Sequence, residues 1–213
     1  SESNFLKGKH LHKKSQQIGF DRGEALANHW LGSYYLLKGK IDTSFIFIQK
    51  VIEMGRATND SLIIGKGLIA CGTISNEIEA FEKARTSILE GMEFSKAAGD
   101  EREVGVGLNN LGNSYAREGN FEDGIKYLEA SKAVMKKIGN EDRYQISNFN
   151  LALTYQAKKQ PRIALDYAHA FLNHAHLKKE ALDIAYGHSI IGSLCYDLKG
   201  YDAALFHLDS ALH

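Results

Sequence analysis

Five short segments of this chain, LGSYY from Leu31, CGTIS from Cys71, LGNSY from Leu111, LALTY from Leu151 and IGSLC from Ile191, stand 40 residues apart without a gap. A spacing kept that strictly leaves little choice of fold. Each segment of 40 must build the same small unit, and each unit must bury its apolar face against its neighbours.

The pattern inside a unit reads as helix, turn, helix. Ten residues after each segment begins comes a large or rigid residue (Ile41, Phe81, Phe121, Pro161, Tyr201), and three further on a small one (Ser44, Ala84, Gly124, Ala164, Ala204). Four later stand Ile48, Ile88, Leu128, Ala168 and Leu208. Apolar residues at this spacing predict two helices of about 17 residues per unit. Pro161 falls at the first turn of a second helix, where its missing N–H is tolerated. Asp60, Asp100 and Asn140 are placed to cap first helices. Gly99 and Gly139 stand where a helix end takes a left-handed residue.

A glycine inside a helix costs about 1 kcal/mol relative to alanine. Even so, Gly32, Gly72, Gly112 and Gly192 recur at one position, with Ala152 the exception, so a small residue there must let the paired helix approach. Gly39 and Gly119 belong to the turn within a unit, and Glu79, Lys159 and Lys199 replace glycine elsewhere, with Gly200 one residue after the last. The second unit departs most from the pattern, with Cys71, Ser75 and Glu79, and its packing is the hardest to foresee. The units are expected at 21–60, 61–100, 101–140 and 141–180, preceded by the second helix of a truncated unit at 1–20 and followed by an incomplete one at 181–213. Neither end carries an obvious polar cap, so a fragment, or ends that pack on something else, is expected.

Composition narrows the function classes. Hydrophobic residues make up 44% and charged ones 24%, which is enough to bury a core. Lys+Arg and Asp+Glu are both 26, so no global basic field draws in nucleic acid or an anionic membrane. No apolar run of about 18 residues spans a bilayer. Cys71 and Cys195 lie in no paired spacing and read as small buried hydrophobes of a cytoplasmic chain. His169, His174 and His176 lack the i, i+4 geometry of a helical zinc pair. With no phosphate loop, nucleophile elbow or metalloprotease motif, no catalytic residue, metal or cofactor is expected, and the chain is not expected to be an enzyme.

The residues Leu111, Gly112, Tyr115, Gly119, Phe121 and Gly124, and likewise Leu31, Gly32, Tyr35, Gly39, Ile41 and Ser44, resemble the tetratricopeptide repeat. The 40-residue spacing resembles its long-helix variant, found in kinesin light chains, spindle-orientation adaptors and bacterial signalling and regulatory proteins. The resemblance implies an all-α fold, a right-handed α-solenoid superhelix of helix-turn-helix units. It also implies a concave groove lined by first helices, touching a ligand around the Leu-Gly pair. Carried over by position, the groove residues are His29, Trp30, Ser33, Asn76, Asn109, Asn110, Asn113, Arg117, Phe149, Asn150, Gln156, Ser189, Ser193 and Tyr196. Carboxamides donate and accept, so the asparagines suit the backbone of an extended peptide, and Arg117 suits a carboxylate. The same amides also suit hydrogen bonds between neighbouring helices. No first helix carries the lysines of a chaperone-tail clamp.

The resulting expectation is a protein- or peptide-binding domain, the sensory or scaffolding part of a bacterial signalling or transcription-regulatory protein. Two alternatives stand beside it: a peptide-pheromone receptor or response-regulator phosphatase type of repeat domain, and a self-assembling scaffold. Homodimerisation through uncapped ends stays open, and no direct contact with nucleic acid or membrane is expected.

Overall fold

The structure, a computed structural model, describes residues 2–212, with side chains from Phe5 onward. The described residues form eleven α-helices and no strand. They are α1 (Glu2–Gln17), α2 (Asp21–Leu37), α3 (Ile41–Ala57), α4 (Ser61–Glu77), α5 (Phe81–Ala97), α6 (Glu101–Arg117), α7 (Phe121–Lys137), α8 (Glu141–Ala157), α9 (Pro161–Lys178), α10 (Ala181–Asp197) and α11 (Tyr201–Ser210). The even-numbered helices are the first helices of the repeating hairpins. Two compact units divide at Ser114 and Tyr115, within α6.

The backbone keeps a stricter time than the side chains. Residues 19, 39, 59, 79, 99, 119, 139, 159, 179 and 199 all have positive φ, between 52° and 93°. At every one of them the next N–H reaches back five residues to a helical carbonyl, as in Asp60 to Gly55 at 2.9 Å and Gly200 to Cys195 at 2.9 Å. This is the Schellman closure of a helix C-terminus. Glycine fills half of the positions, whereas Asn59, Glu79, Lys159, Lys179 and Lys199 take a left-handed conformation that costs an ordinary residue about 1 kcal/mol. Lys199 adopts it although Gly200 is adjacent, because the position is set by the count from the helix and not by residue type.

Helix starts follow the capping rule where the chain supplies a cap. The Asp60 carboxylate accepts from the N–H groups of Leu62 and Ile63, Asp100 from Glu103, and Asn140 from Arg143. Pro161 opens α9 at its first position.

In the unit up to Ser114, α4 is the most thoroughly buried helix, although the second unit looked hardest to foresee in the sequence. Gly65 and Gly91 bring α4 and α5 into backbone contact: a Cβ on Gly91 would lie 2.9 Å from the Gly65 carbonyl oxygen and 2.9 Å from the Ile69 nitrogen. A Cβ on Gly72 would lie 2.9 Å from the Ala84 carbonyl oxygen and press on the Ile88 side chain. Ile48, Cys71 and Ile74 form a core cluster with Leu36, Ile41 and Phe45 packed on it. Lys66 of α4 lies 3.1 Å from Asp100 and 2.5 Å from Glu103, largely out of solvent, and ties α4 to the start of α6.

In the unit from Tyr115, Ala152, Ala164, Ala168, Leu172, Ile190, Ile191 and Leu194 make the core. The repeat tyrosines have partners 12 residues on: Tyr115 stacks on Tyr127 at 5.4 Å and Tyr155 on Tyr167 at 5.5 Å. Tyr35 and Phe47 stack alike at 5.4 Å in the first unit. In the last hairpin the pair becomes Cys195 and His207, and the His207 ring turns to His188, Nδ1 to Nδ1 at 2.9 Å. Cys71 is buried, Cys195 only half-buried, and both are free thiols.

Candidate functional site

The residues expected to line a groove fall in both units. In the first, α2 supplies His29, Trp30 and Ser33, α4 supplies Asn76, and α6 supplies Asn109, Asn110 and Asn113. The Ser33 hydroxyl donates to the His29 carbonyl one turn back at 3.0 Å. Trp30 is 36% exposed, its indole against Gly8 of α1.

The amides of α4 and α6 form a network. Asn110 Nδ2 donates to Thr73 Oγ1 at 2.8 Å, and Asn76 Nδ2 donates to the Asn110 carbonyl at 3.2 Å. Asn76 is 4% exposed and its Oδ1 has no hydrogen-bond partner. Burial removes Asn76 from direct reach of a ligand, and it serves instead as a strut between first helices. Asn109 and Asn113 flank the strut and are half-exposed. Residues 109, 110 and 113 lie within about a third of the helix circumference, so they share one face of α6.

In the second unit, Gln156 Nε2 donates to Ser193 Oγ at 2.8 Å and to Asp197 Oδ2 at 3.1 Å, which joins α8 to α10 as the asparagines join α4 to α6. Ser189 and Ser193 are exposed, and Tyr196 is 63% exposed with its ring edge on Tyr201 at 5.7 Å. Asn150 is half-buried and its carbonyl accepts from Thr154. Arg117 is exposed in the last turn of α6. Phe149 is turned inward, its ring 4.9 Å from Phe171 and 6.2 Å from Tyr186, so it acts chiefly as packing.

Two further contacts were not legible in the sequence. Lys132 sits 5.4 Å from the Tyr144 ring and 4.7 Å from the Tyr167 ring, and Tyr167 donates to Glu129 at 2.6 Å. Burial, with Glu129 beside it, pushes the Tyr167 phenol well above its ordinary range. On α9, His174 lies 3.0 Å from Asp142 of α8, and Lys178 lies 3.1 Å from the same carboxylate. The hydrogen bond from His174, then that from Lys178, holds the Asp142 carboxyl below its ordinary value. Neither contact could be found without coordinates, because Tyr167 lies 38 positions from Glu129 and His174 lies 32 from Asp142. Among the described residues, no group of three or more His, Cys, Asp or Glu could hold a metal ion, and no helix is long and apolar enough to cross a membrane.

Residues 103–170 match the family model described as tetratricopeptide repeat. That stretch carries the tetratricopeptide repeat. No curated protein matches the sequence. Among solved structures, the chain is similar to BtubC (BKLC) from P. vanneervenii, with a TM-score of 0.76 at 12% identity, over 99% of this chain and 89% of that one. It is also similar to a signal transduction ATPase with numerous domains and a tetratricopeptide repeat sensor from Pyrococcus horikoshii, TM-score 0.62 at 19% identity, over 99% of this chain and 39% of that one. Aspartyl phosphate phosphatase F from Bacillus subtilis gives a TM-score of 0.62 at 12% identity, over 98% of this chain and 68% of that one. At such identities the likeness speaks to the fold. Tetratricopeptide repeats are protein-binding modules, typically without catalysis of their own.

Proposed function

We propose that this domain captures an extended peptide segment of a partner protein along its first helices, as the sensory or scaffolding part of a bacterial signalling or transcription-regulatory protein. The observation that carries this reading is the amide strut of the first unit. Thr73 and Asn76 immobilise Asn110, so that Asn109 and Asn113 stand half-exposed on a helix face that is already ordered. Preorganised amides lose little conformational entropy when they grip a peptide backbone. The sensor of the Pyrococcus protein, joined to an ATPase, is in keeping with such a role.

The test is to pan a phage library of random dodecapeptides against the chain and to measure the enriched peptides by calorimetry. Asn113→Ala is expected to weaken them about tenfold with an unchanged melting temperature, while Asn110→Ala, which breaks the strut, lowers the melting temperature as well. Enriched peptides that bind Asn113→Ala and Asn109→Ala like the parent would sink the reading.

A second reading is favoured by the likeness to aspartyl phosphate phosphatase F, of which this chain matches about two thirds. In that reading the repeats are the peptide-responsive part of a response-regulator phosphatase. Full-length parent protein that dephosphorylates an aspartyl-phosphate regulator, and stops when an enriched peptide is added, would select it.

A further inference from the structure

Between α1 and α2 lies an open groove of about 670 Å³, lined mostly by carbon. Leu11 of α1 and Ile18 just past its end line it at 56% and 66% exposure, with Phe20, Leu26 and Trp30 opposite at 52%, 40% and 36%. Its long wall runs from Lys7 in α1 to Ile18 just past the helix end, about 17 Å or three helical turns. The exposed lysines Lys7 and Lys14 stand along it, two turns apart.

The repeat lattice says what kind of element fits there. On α3, one repeat further on, the counterparts of Gly8 and Leu11 are Ile48 and Val51, which are 1% and 0% exposed. Helix α2 covers them: Gly32 meets Ile48, and Ala25 shares a cluster with Val51 and Ile63. On α9, four repeats on, the counterparts of Leu11 and Ser15 are Phe171 and Ala175, at 5% and 1%. Helix α8 covers these, with Phe149 on Phe171 and also on Tyr186, the counterpart of Leu26. Within each unit, therefore, the same groove is occupied by a first helix.

The occupied groove on α9 and α10 also specifies the charge. The counterparts of Lys14 and Ile18 are His174 and Lys178, and both meet Asp142 in the first turn of the occupying helix. Seven residues later on the same face comes Phe149. On α3, by contrast, the counterparts of Lys7 and Lys14 are Phe47 and Met54, so the lysines belong to this groove alone among the two.

We propose that the α1–α2 groove receives an amphipathic α-helix of a partner protein, about three turns long, with a carboxylate in its first turn facing Lys14 and a large apolar side chain two turns later against Leu11 and Leu26. This surface differs from the amide-bearing face of α4 and α6, so either proposal can fail without the other. Docking removes the exposed leucines and aromatics from water, the main driving force for such a contact, while the carboxylate sets orientation.

Trp30 is the single tryptophan of the chain and reports the groove directly. The probe is a synthetic peptide spanning residues 140–158, which carries Asp142 and Phe149 and displays the chemistry of the occupant. Titrated into the chain, it is expected to shift Trp30 emission to the blue in a saturable manner and to protect it from iodide. Leu11→Asp should abolish the shift. Lys14→Glu should weaken binding about fivefold at low salt, and a peptide bearing Asp142→Lys should regain that loss. An unshifted spectrum at high peptide concentration, binding indifferent to Leu11→Asp, or a blue shift that grows with concentration of the chain alone and so marks a second copy as occupant, would overturn the proposal.

Discussion

The hairpins α4–α5 and α8–α9 share a backbone plan and pack it in opposite ways. In α4–α5 the first helix is notched, with Gly65 meeting Gly91 backbone to backbone and Gly72 receiving the bulk of Ile88. In α8–α9 the corresponding positions hold Gln145, Phe171, Ala152 and Ala168, all buried. There the small pair Ala152 and Ala168 shares the space that glycine and isoleucine divide unequally in the other hairpin, while Phe171 fills with a ring the place where Gly91 leaves only backbone. The two hairpins thus keep one backbone plan while dividing side-chain bulk between the facing helices in different ways.

The largest expected effects come from upsetting that division of bulk. Gly72→Ala should destabilise by about 3 kcal/mol in urea unfolding, since the obstructing atoms include the Ala84 carbonyl, which cannot rotate away. Ala168→Ile should cost about 2 kcal/mol, and Ala152→Gly added to it should recover at least half, by recreating the division seen at Gly72 and Ile88. Additive effects in that double variant would mean that the two pairs are unrelated solutions.

A middle-sized effect separates the helix caps of the two units. Burial by itself would raise the Asp100 carboxyl, but the Glu103 N–H and the Lys66 ammonium together outweigh it and hold the group below its ordinary value of 3.8. The stabilisation is therefore complete above that value and drains away as pH falls through the folded pKa. Asn140, the amide cap of α8, has no such dependence. Asp100→Asn keeps the cap and should lower stability by about 1 kcal/mol at pH 7, a gap that narrows in parallel urea titrations as pH falls through the folded carboxyl's lowered pKa.

The smallest effect tests what the hairpins have in common. Glu79 and Lys159 hold the left-handed turn in α4–α5 and α8–α9, with φ of 59° and 63°. Glu79→Gly and Lys159→Gly should each stabilise by about 0.5 kcal/mol, and equally, when followed by thermal melting. Unequal gains would show that the two turns carry different strain.

Much of this architecture was legible in advance because it rests on local rules. The register, the caps at Asp60, Asp100 and Asn140, the place of Pro161 and the left-handed Gly99 and Gly139 each depend on a few neighbouring residues. What escaped was set by the count of residues or by partners far along the chain. Asn59, Lys179 and Lys199 adopt positive φ because the following helix must start on time, which overrides their own preference. The candidate site was legible as a set of first-helix positions, yet the division of labour within it was not. The sequence places Asn76, Asn109, Asn110 and Asn113 alike, and only the hydrogen bonds between α4 and α6 distinguish the strut formed by Asn76 and Asn110 from Asn109 and Asn113. Phe149 turned inward for the same reason, as the large ring of Phe171 offered it a partner.

The left-handed residue that closes each helix has a bearing on how such a chain can change its length. Backbone geometry repeats with every helix, whereas the notches and the side chains that enter them repeat only with every second one. Losing a single helix would leave all the turns intact and set unlike surfaces face to face. Growth and loss are therefore confined to whole hairpins, and an evolving lineage can count its members only in pairs.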